Sequence, residues 1–570
     1  MSETDKRAGV GFYYCTEHAG QSAAACLAHV TNFFRSLHQM AGTLALFWGL
    51  AAVEKDARLG ASDALVDELV KQSSKIDSGD AAVVPEDDST SIDATDAEAA
   101  AAEERIDALS ADTSYSIRRL VRGLASPREN ARTGFAVALT ELLSHLQSVS
   151  SHDMLVLLLK YTAARGNLSG QEMRDLQFAR LFGVYALVRS GIIYARGSLS
   201  VYVRCFNVLL AVAANKSWIS ESCGWVLTEL TNGLRSAPSW ADEALVWTAD
   251  MVCANSDLSP EKLALLIVLM GYPQLGMGER FPIKSPNLFS SSNLSLLAAS
   301  LREGAPLHLS PSPTPKPGSW NAKLPFVWDM IFDVYFGPDT LVRTGAAPFP
   351  EMFRILVDES LFSNNASSER KSWGFQVLHL ALQRVPADVL PFLFTPNLMR
   401  TWVNHLSDKE RLHHAMATKT VTVVSDAVKR NPTAGVALVT QLLGEHGRQN
   451  FDRVTHTKTI ESILASLDES GVQQYLTYLR NIAYAPVATD DTKHVESQRQ
   501  WVCDQMLALV RSNLMPKSHA WIQDVIVFLL GFGYFDVVAS PPAPWQHVIQ
   551  KPTVPFGEGI QAVCRARFLS

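Results

Sequence analysis

The sequence lacks any long apolar run. No stretch of its 570 residues reaches the roughly 18 apolar residues that a bilayer-spanning helix needs. The longest candidates, Leu44 to Val53 and Leu263 to Met270, are better explained as buried helix segments. The first residues also lack a basic segment followed by an apolar one and a small-residue cleavage site. We therefore expect neither membrane insertion nor export.

Cysteine is scarce and unevenly placed. The seven cysteines are scattered and odd in number, which is typical of reduced thiols in the cytosol or nucleus and argues against a disulfide framework. Two Cys-x-x-His pairs occur near the start, Cys15 with His18 and Cys26 with His29. Because the seven residues between the pairs are fewer than in the usual zinc modules, we predict no metal site.

Recognisable catalytic motifs are missing as well. The chain contains no GxxxxGK[ST] phosphate loop, no GxGxxG after a strand, no GxSxG elbow and no HExxH. The densest carboxylates, Glu86, Asp87 and Asp88, fall in a stretch rich in Ser, Asp, Ala and Glu that is too polar to order itself. We therefore predict a protein without catalysis and without a cofactor.

The segment from Tyr115 to Leu146 carries the clearest positive signal. Apolar residues recur at helical spacing in two stretches, which predicts two helices joined by a short connection. The stripes are Ile117, Leu120, Val121 and Leu124, and then Phe135, Ala138, Leu139, Leu142, Leu143 and Leu146. Ser126 and Glu129 have the spacing of a capping box, with Pro127 at the first helical position. This pattern predicts a helical hairpin, which needs stacked neighbours to bury its apolar face.

Similar start signals follow along the chain. Ser169 with Glu172 is a second capping box, Ser217 and Ser259 precede apolar segments, and the starts from Ser126 onward lie 43, 48 and 42 residues apart. A further box, Ser407 with Glu410, predicts a helix carrying Leu412, Ala415, Met416 and Val423. The spacing is near the armadillo and HEAT period of about 40 to 47 residues. We predict an all-α fold, an armadillo/HEAT-like α-solenoid of stacked helical hairpins.

Composition shifts divide the chain. The predicted parts are an uncertain N-terminal leader over 1–43, helical repeats over 44–272 with an acidic disordered insertion at about 71–110, a Ser/Pro-rich connector over 273–320, helical repeats over 321–540, and a C-terminal tail over 541–570. The end of the insertion, from Ala94 to Ile106, is expected either to be disordered or to extend the next helix.

Positive charge is concentrated on the hairpin. The formal charge is −7, but residues 77–112 hold twelve acidic residues against Arg105, which leaves the rest mildly basic at +4. Five arginines crowd the hairpin beside Glu129, namely Arg118, Arg119, Arg122, Arg128 and Arg132. They are candidate phosphate contacts if this face lines a groove. The alternative is that they pair with carboxylates of the next repeat or of the acidic insertion.

Five stretches resemble a known family in their order. They read SIRRLVRGLASPRENARTGFAVALTELL, RDLQFARLFGVYALVRSGII, LPFVWDMI, ERKSWGFQVL and LSDKERLHHAMATKTV. This series resembles the nucleolar DNA polymerase phi family, also called the Myb-binding protein 1a family, and a fungal member is expected. The segment from Met1 to Thr43 has no counterpart in that family. The family also continues into an acidic region and a basic tail beyond the point at which this chain stops.

The resemblance implies a helical-repeat protein of the nucleus and nucleolus. It implies a role in ribosomal DNA transcription and ribosome biogenesis, with rDNA or pre-rRNA and transcription and ribosome-assembly proteins as partners, and with neither membrane nor small-molecule substrate. Two alternatives remain open: a DNA polymerase, as the family name says, and a docking protein that binds only proteins. Polymerisation would need two metals held by rigid carboxylates, a pattern that we do not find in the sequence.

Overall fold

The computed structural model describes residues 44–73, 90–236, 238–303, 322–338, 344–485, 492–537 and 543–570. Within these ranges every regular element is a helix and no strand occurs, so the all-α prediction is confirmed. None of the helices in these ranges is long and apolar enough to cross a bilayer. The leader, its Cys-x-x-His pairs and residues 304–321 of the predicted connector lie outside the described residues.

The chain folds into two compact units. Among the described residues, the first comprises those up to residue 282, and the second those of 283–303 and from 322 onward. Residues 44–49 of the first unit are helical. The helices that follow in this unit are α1 Lys55–Ser73, α2 Asp96–Asp107, α3 Ala111–Gly123, α4 Glu129–His145, α5 Ser151–Tyr161, α6 Gly170–Arg189, α7 Ile192–Arg196, α8 Leu199–Asn215, α9 Ser217–Asn232, α10 Ala241–Cys253, α11 Pro260–Met270 and α12 Met277–Arg280.

Helices of the first unit pack in two rows. One row runs α1, α4, α6, α9 and α11, and the other runs α2, α5, α8 and α10, with each helix packed against the next in its row. In the first row, α4, α6, α9 and α11 begin at residues 129, 170, 217 and 260, which are 41, 47 and 43 residues apart. The spacing is that of two-helix repeats. Assignment to the armadillo or HEAT type stays a prediction.

The core of this unit explains why some helices are apolar on all sides. Residues 154–159 of α5 and 263–269 of α11 are all buried. A helix that is surrounded by other helices exposes no face to water, so its sequence does not alternate between an apolar and a polar face. These two helices therefore read as continuous apolar runs and not as stripes.

The predicted helix starts have mixed outcomes. The capping box of Ser169 and Glu172 is confirmed, and Ser259 caps α11 with Pro260 at its first position. The capping box predicted at Ser126 is wrong. The Ser126 amide donates to the Gly123 carbonyl, and the Ser126 hydroxyl accepts from the Arg128 amide. Helix α4 begins later, at Glu129.

The box at Ser407 is also wrong. Ser407 ends the preceding helix, and the Asp408 carboxylate accepts from the Glu410 amide in a short turn, so that the next helix begins only at His414. Leu412 is therefore 79% exposed instead of part of a buried stripe. Both errors have the same cause, because a side chain that can cap a helix can equally bond within a turn.

Two segments expected to be irregular contain helices. Asp96–Asp107 of the predicted acidic insertion forms α2, so the expectation of disorder is wrong for that part. Thr95 and Glu98 make a capping box there, which offsets the low apolar content at the helix start. Leu294–Glu303, within the predicted connector, is a helix of the second unit.

The second unit contains fourteen α-helices among its described residues. They are α13 Leu294–Glu303, α14 Val327–Phe336, α15 Phe349–Phe353, α16 Glu359–Leu361, α17 Ser368–Arg384, α18 Pro396–Leu406, α19 His414–Arg430, α20 Ala434–Leu443, α21 Phe451–Thr455, α22 Thr459–Ala465, α23 Glu469–Tyr484, α24 Thr492–Arg511, α25 His519–Tyr534 and α26 Glu558–Phe568. A π-helical turn, Arg354–Asp358, joins α15 to α16. The last helix, α26, packs against α24 and α25 and buries Ile560 and Cys564.

Candidate nucleic-acid interface

The hairpin predicted from Tyr115 to Leu146 is formed by α3 and α4. The apolar stripe of α3 is buried, with Ile117 and Leu120 fully enclosed, and Leu139 and Leu142 of α4 are buried in the same way. Burial of these stripes fixes which sides of the two helices remain for polar side chains. The five candidate arginines therefore differ in exposure according to their position around each helix.

Arg132 does not lie on an accessible surface. Its side chain is 9% exposed and forms an ion pair with Asp175 of α6, with an Nη1 to Oδ1 distance of 3.4 Å. The same nitrogen donates to the Ser126 carbonyl at 2.8 Å, and the guanidinium lies 4.5 Å from the centre of the Phe178 ring. For Arg132 the structure thus shows the alternative, pairing with a carboxylate of the next repeat, and the neighbouring helix of the row encloses it.

Arg118 is paired with the acidic segment, by which we mean the described residues 90–107 including α2. Its guanidinium forms an ion pair with Asp107 of α2 at 2.5 Å and donates to the Ser114 hydroxyl at 2.6 Å. The hydrogen bond from Arg118 lowers the pKa of Asp107 and raises the pKa of Arg118 itself. The structure thus shows for Arg118 the pairing with the insertion that was the alternative to nucleic-acid binding.

Arg119 and Arg122 lie against aromatic rings. The Arg119 guanidinium is 4.6 Å from the centre of the Phe47 ring and donates to the Tyr115 hydroxyl at 2.6 Å. Arg122 is exposed, with its guanidinium 4.4 Å from the centre of the Tyr161 ring. A guanidinium on a ring face keeps its N–H groups at the rim, where they remain able to donate.

Arg128 is exposed at the start of α4, where it is the N-cap residue. Among the described residues we find no side-chain partner for its guanidinium. The first backbone N–H groups of a helix also carry partial positive charge. Arg122 and Arg128 are therefore the two candidates best placed to meet an external anion, with Arg119 partly buried beside them.

The sequence left open whether the end of the acidic segment is disordered or extends the next helix, and it did not predict the ion pairs that the segment makes. The segment neutralises basic side chains from several helices: Glu103 binds Lys160 of α5 at 2.7 Å, Asp93 binds Arg180 of α6 at 2.9 Å, and Glu98 binds Arg204 of α8 at 3.1 Å. The Thr-Asp-Ala-Glu sequence at residues 95–98 was the available signal, since it has the spacing of a capping box.

Glu98 is the most perturbed carboxylate in this segment. Burial raises its pKa, but hydrogen bonds from the Thr95 amide and from Arg204 outweigh that effect and bring the pKa to about 2. The carboxylate is therefore ionised at neutral pH and holds Arg204 as a buried ion pair, with side chains 1% and 9% exposed.

Metal-binding geometry is not found in the part of the chain that the structure describes. Within that part, no group of three or more His, Cys, Asp or Glu side chains is arranged to hold an ion.

Comparison with known proteins identifies the family. The family model described as DNA polymerase phi matches residues 115–570. This chain belongs to the DNA polymerase phi family. The match includes all five candidate arginines but begins after α2, so the acidic segment lies before the part that defines the family.

Curated relatives of this DNA polymerase phi family chain carry regulatory names. The rDNA transcriptional regulator pol5 of Schizosaccharomyces pombe is 34% identical over 481 residues, covering 82% of this chain and 48% of the relative. The rDNA transcriptional regulator POL5 of Saccharomyces cerevisiae is 25% identical, and the match covers 70% of this chain and 44% of the relative. A Myb-binding protein 1A-like protein of Danio rerio is 20% identical, and the match covers 80% of this chain and 36% of the relative.

The chain therefore spans less than half the length of each of these relatives. No solved structure matches it. The family model and the relatives confirm the resemblance seen in the sequence, and two of these relatives are fungal proteins. The two fungal relatives are named as regulators of rDNA transcription and not as polymerases.

Proposed function

We propose that this chain is a non-catalytic scaffold of the nucleus and nucleolus that acts in rDNA transcription and ribosome biogenesis. Its mechanism is surface presentation: rows of packed helices hold side chains in fixed positions for rDNA chromatin, pre-rRNA or the proteins bound to them. The observation that carries the proposal is the 34% identity to a fungal rDNA transcriptional regulator over 82% of this chain.

Within this function, we assign contact with phosphates to Arg122 and Arg128, supported by Arg119. Their exposure and their lack of a carboxylate partner among the described residues favour this role. Arg118 and Arg132 act instead within the fold, because each is already paired with an aspartate. The number of free cations is thus smaller than the sequence indicates, and we expect affinity for nucleic acid to be modest.

Crosslinking in cells tests this function. A tagged version of the 570-residue chain is crosslinked and immunoprecipitated, and the bound DNA and RNA are both sequenced. We expect enrichment of rDNA or its transcript. Recovery of neither, with protein partners retained, would assign the chain to protein-only docking and the nucleic-acid role to other parts of the longer relatives.

The polymerase named in the family description is tested separately. In primer extension with and without Mg²⁺, we expect no synthesis by the purified chain. Extension that disappears when a carboxylate pair is replaced would overturn the non-catalytic assignment.

A further inference from the structure

A polar cavity of about 170 Å³ opens on the second unit. It lies between α17, α18, the turn that precedes α17 and the loop that leads into α19. Its walls carry the basic side chains Lys371, Arg400 and Arg411, the amides Asn364 and Asn404, the imidazole His405 and two hydroxyl groups. A cavity lined in this way offers hydrogen-bond donors from several directions.

The charge of the lining has one sign. Three cations line the cavity, and no carboxylate is among its lining residues. Arg400 donates to the neutral Asn397 amide oxygen at 3.0 Å. Arg411 forms an ion pair with Asp408, in which Nε and Oδ2 are 3.6 Å apart, longer than a hydrogen bond. The positive charge is therefore only partly compensated from within the fold.

His405 is a neutral side chain at the wall of the cavity. Burial lowers its pKa to about 4, and the neighbouring His413, Arg411 and Lys371 act in the same direction. The Nδ1 atom of His405 is buried without a hydrogen-bond partner among the described residues. The imidazole is thus held neutral at neutral pH, mainly by burial and additionally by the nearby cations.

We propose that this cavity binds a phosphate monoester carried by a side chain of a protein partner. A phosphorylated side chain presents close to two negative charges and three acceptor oxygens on a compact group, which matches three convergent cations and the nearby amides. Arg400 and Arg411 supply planar forks suited to paired oxygen atoms, and Lys371 supplies a point charge.

The surroundings favour a compact ligand over a nucleic-acid strand. Exposed carboxylates adjoin the basic residues in the chain: Glu369 lies two positions before Lys371, and Asp408 and Glu410 precede Arg411. A strand carries a phosphate on every nucleotide, so its further phosphates would meet these carboxylates. A single phosphorylated side chain carries no further phosphate that would meet them.

This inference does not depend on the nucleic-acid contact assigned to Arg122 and Arg128, because the cavity uses different residues in the other unit. The recovery of chromatin or RNA from cells tests the proposed function, and the binding of a phosphopeptide in solution tests the cavity. Either result can be negative without affecting the other.

Fluorescence anisotropy with the full chain tests it. The probes are a short Gly-Ala peptide with one phosphoserine, the same peptide with serine, and a short single-stranded RNA. We expect saturable binding of the phosphopeptide and none of the serine peptide. Lys371→Ala and Arg400→Ala should each weaken binding about tenfold, as expected for the loss of one charge-assisted hydrogen bond.

Asn404→Asp places a negative charge at the exposed edge of the cavity without removing a cation, and we expect it to abolish binding. The matched control is Lys429→Ala, an exposed lysine of α19 outside the cavity, which should leave binding unchanged. Absence of saturable phosphopeptide binding to the wild type, or equal loss in the control, would overturn the proposal. Preferential binding of RNA that is lost in the same variants would assign the cavity to nucleic acid instead.

Discussion

The guanidinium of Arg204 shows how a single side chain can determine local order. Four oxygen atoms from the segment around α2 surround it: the carbonyls of Ser91 and Asp93 and both carboxylate oxygens of Glu98. Because these groups are buried, removing the charge leaves Glu98 ionised in a place with little water. The contact was not predictable from the sequence, since nothing in the local pattern links residue 204 to residue 98.

We expect Arg204→Met to destabilise the first unit by about 3 to 5 kcal/mol, because it leaves a buried carboxylate without its partner. Thermal unfolding gives the size of the loss, and hydrogen exchange should show lower protection in Asp96–Asp107. The comparison is Arg165→Met, an exposed arginine of the same unit, which we expect to leave both measurements unchanged. Equal effects of the two substitutions would contradict the role of the ion pair.

Glu261 provides a second residue-scale prediction. It lies in the first turn of α11, where burial raises its pKa to about 7 and one carboxylate oxygen has no partner among the described residues. A raised pKa favours folding at low pH, and this contribution is lost as pH rises from the unfolded value of 4.5 toward 7. Glu261→Gln does not titrate, so it should be spared this loss.

We therefore expect Glu261→Gln to gain about 2 to 3 kcal/mol relative to the wild type between about pH 5 and about pH 8. Urea unfolding at the two pH values measures the change, with the exposed Glu243→Gln as the control that should show none. A stability difference between Glu261→Gln and wild type that is the same at both pH values would refute the assigned titration.

At the scale of helices, the sequence predicts that a helix exists better than it predicts the residue at which the helix begins. The stripes of α3 and α4 were recognised because apolar side chains must recur at helical spacing to reach one core. The starts at Ser126 and Ser407 were misplaced because turns use the same side chains as caps. Helix α2 was not predicted as a separate helix, because its buried stripe is short and consists mostly of alanine. Ion pairs with other helices add to its attachment.

The arginine cluster shows the same limit. Arg132 and its partner Asp175 are 43 residues apart, about one repeat, so their contact depends on the stacking of α4 on α6. The local sequence gives the type of each residue and the helix face on which it lies. The exposure of its side chain, however, depends on the helix that packs beside it. The sequence therefore left open which of the five candidates are paired, and the structure shows ion pairs for Arg118 and Arg132.

We expect Leu139→Ala in α4 to cost about 2 to 5 kcal/mol, because the side chain is 2% exposed and its removal leaves a cavity. Val137→Ala on the same helix is the matched control, since Val137 is 38% exposed and should cost little. Thermal unfolding of both variants decides the point, and an unchanged midpoint for Leu139→Ala would disprove the packing.

For the whole molecule, charge is distributed so that much of it is used internally. The acidic segment neutralises cations of α3, α5, α6 and α8, while Arg122 and Arg128 remain exposed. Net charge alone therefore says little about affinity for a polyanion. What counts is the set of cations that the fold leaves without an internal partner.

This distribution predicts a specific salt dependence. The double variant Arg122→Ala with Arg128→Ala should weaken binding of nucleic acid and reduce the slope of log K against log salt by about 2, one for each lost phosphate contact. Arg118→Ala should change the slope little, because Asp107 already occupies that guanidinium. Filter binding across a salt series measures both, and an unchanged slope in the double variant would remove these residues from the interface.

The attachment of α2 also bears on how the protein can be divided in the laboratory. Its acidic, alanine-rich sequence resembles a linker, so it would ordinarily be left out when a shorter fragment is designed for expression. A fragment that begins at Tyr115, where the family match starts, would expose the buried guanidinium of Arg204 and leave Arg118, Lys160 and Arg180 without their carboxylates. Such a fragment would be poorly soluble and would bind nucleic acid through cations that the longer chain keeps neutralised.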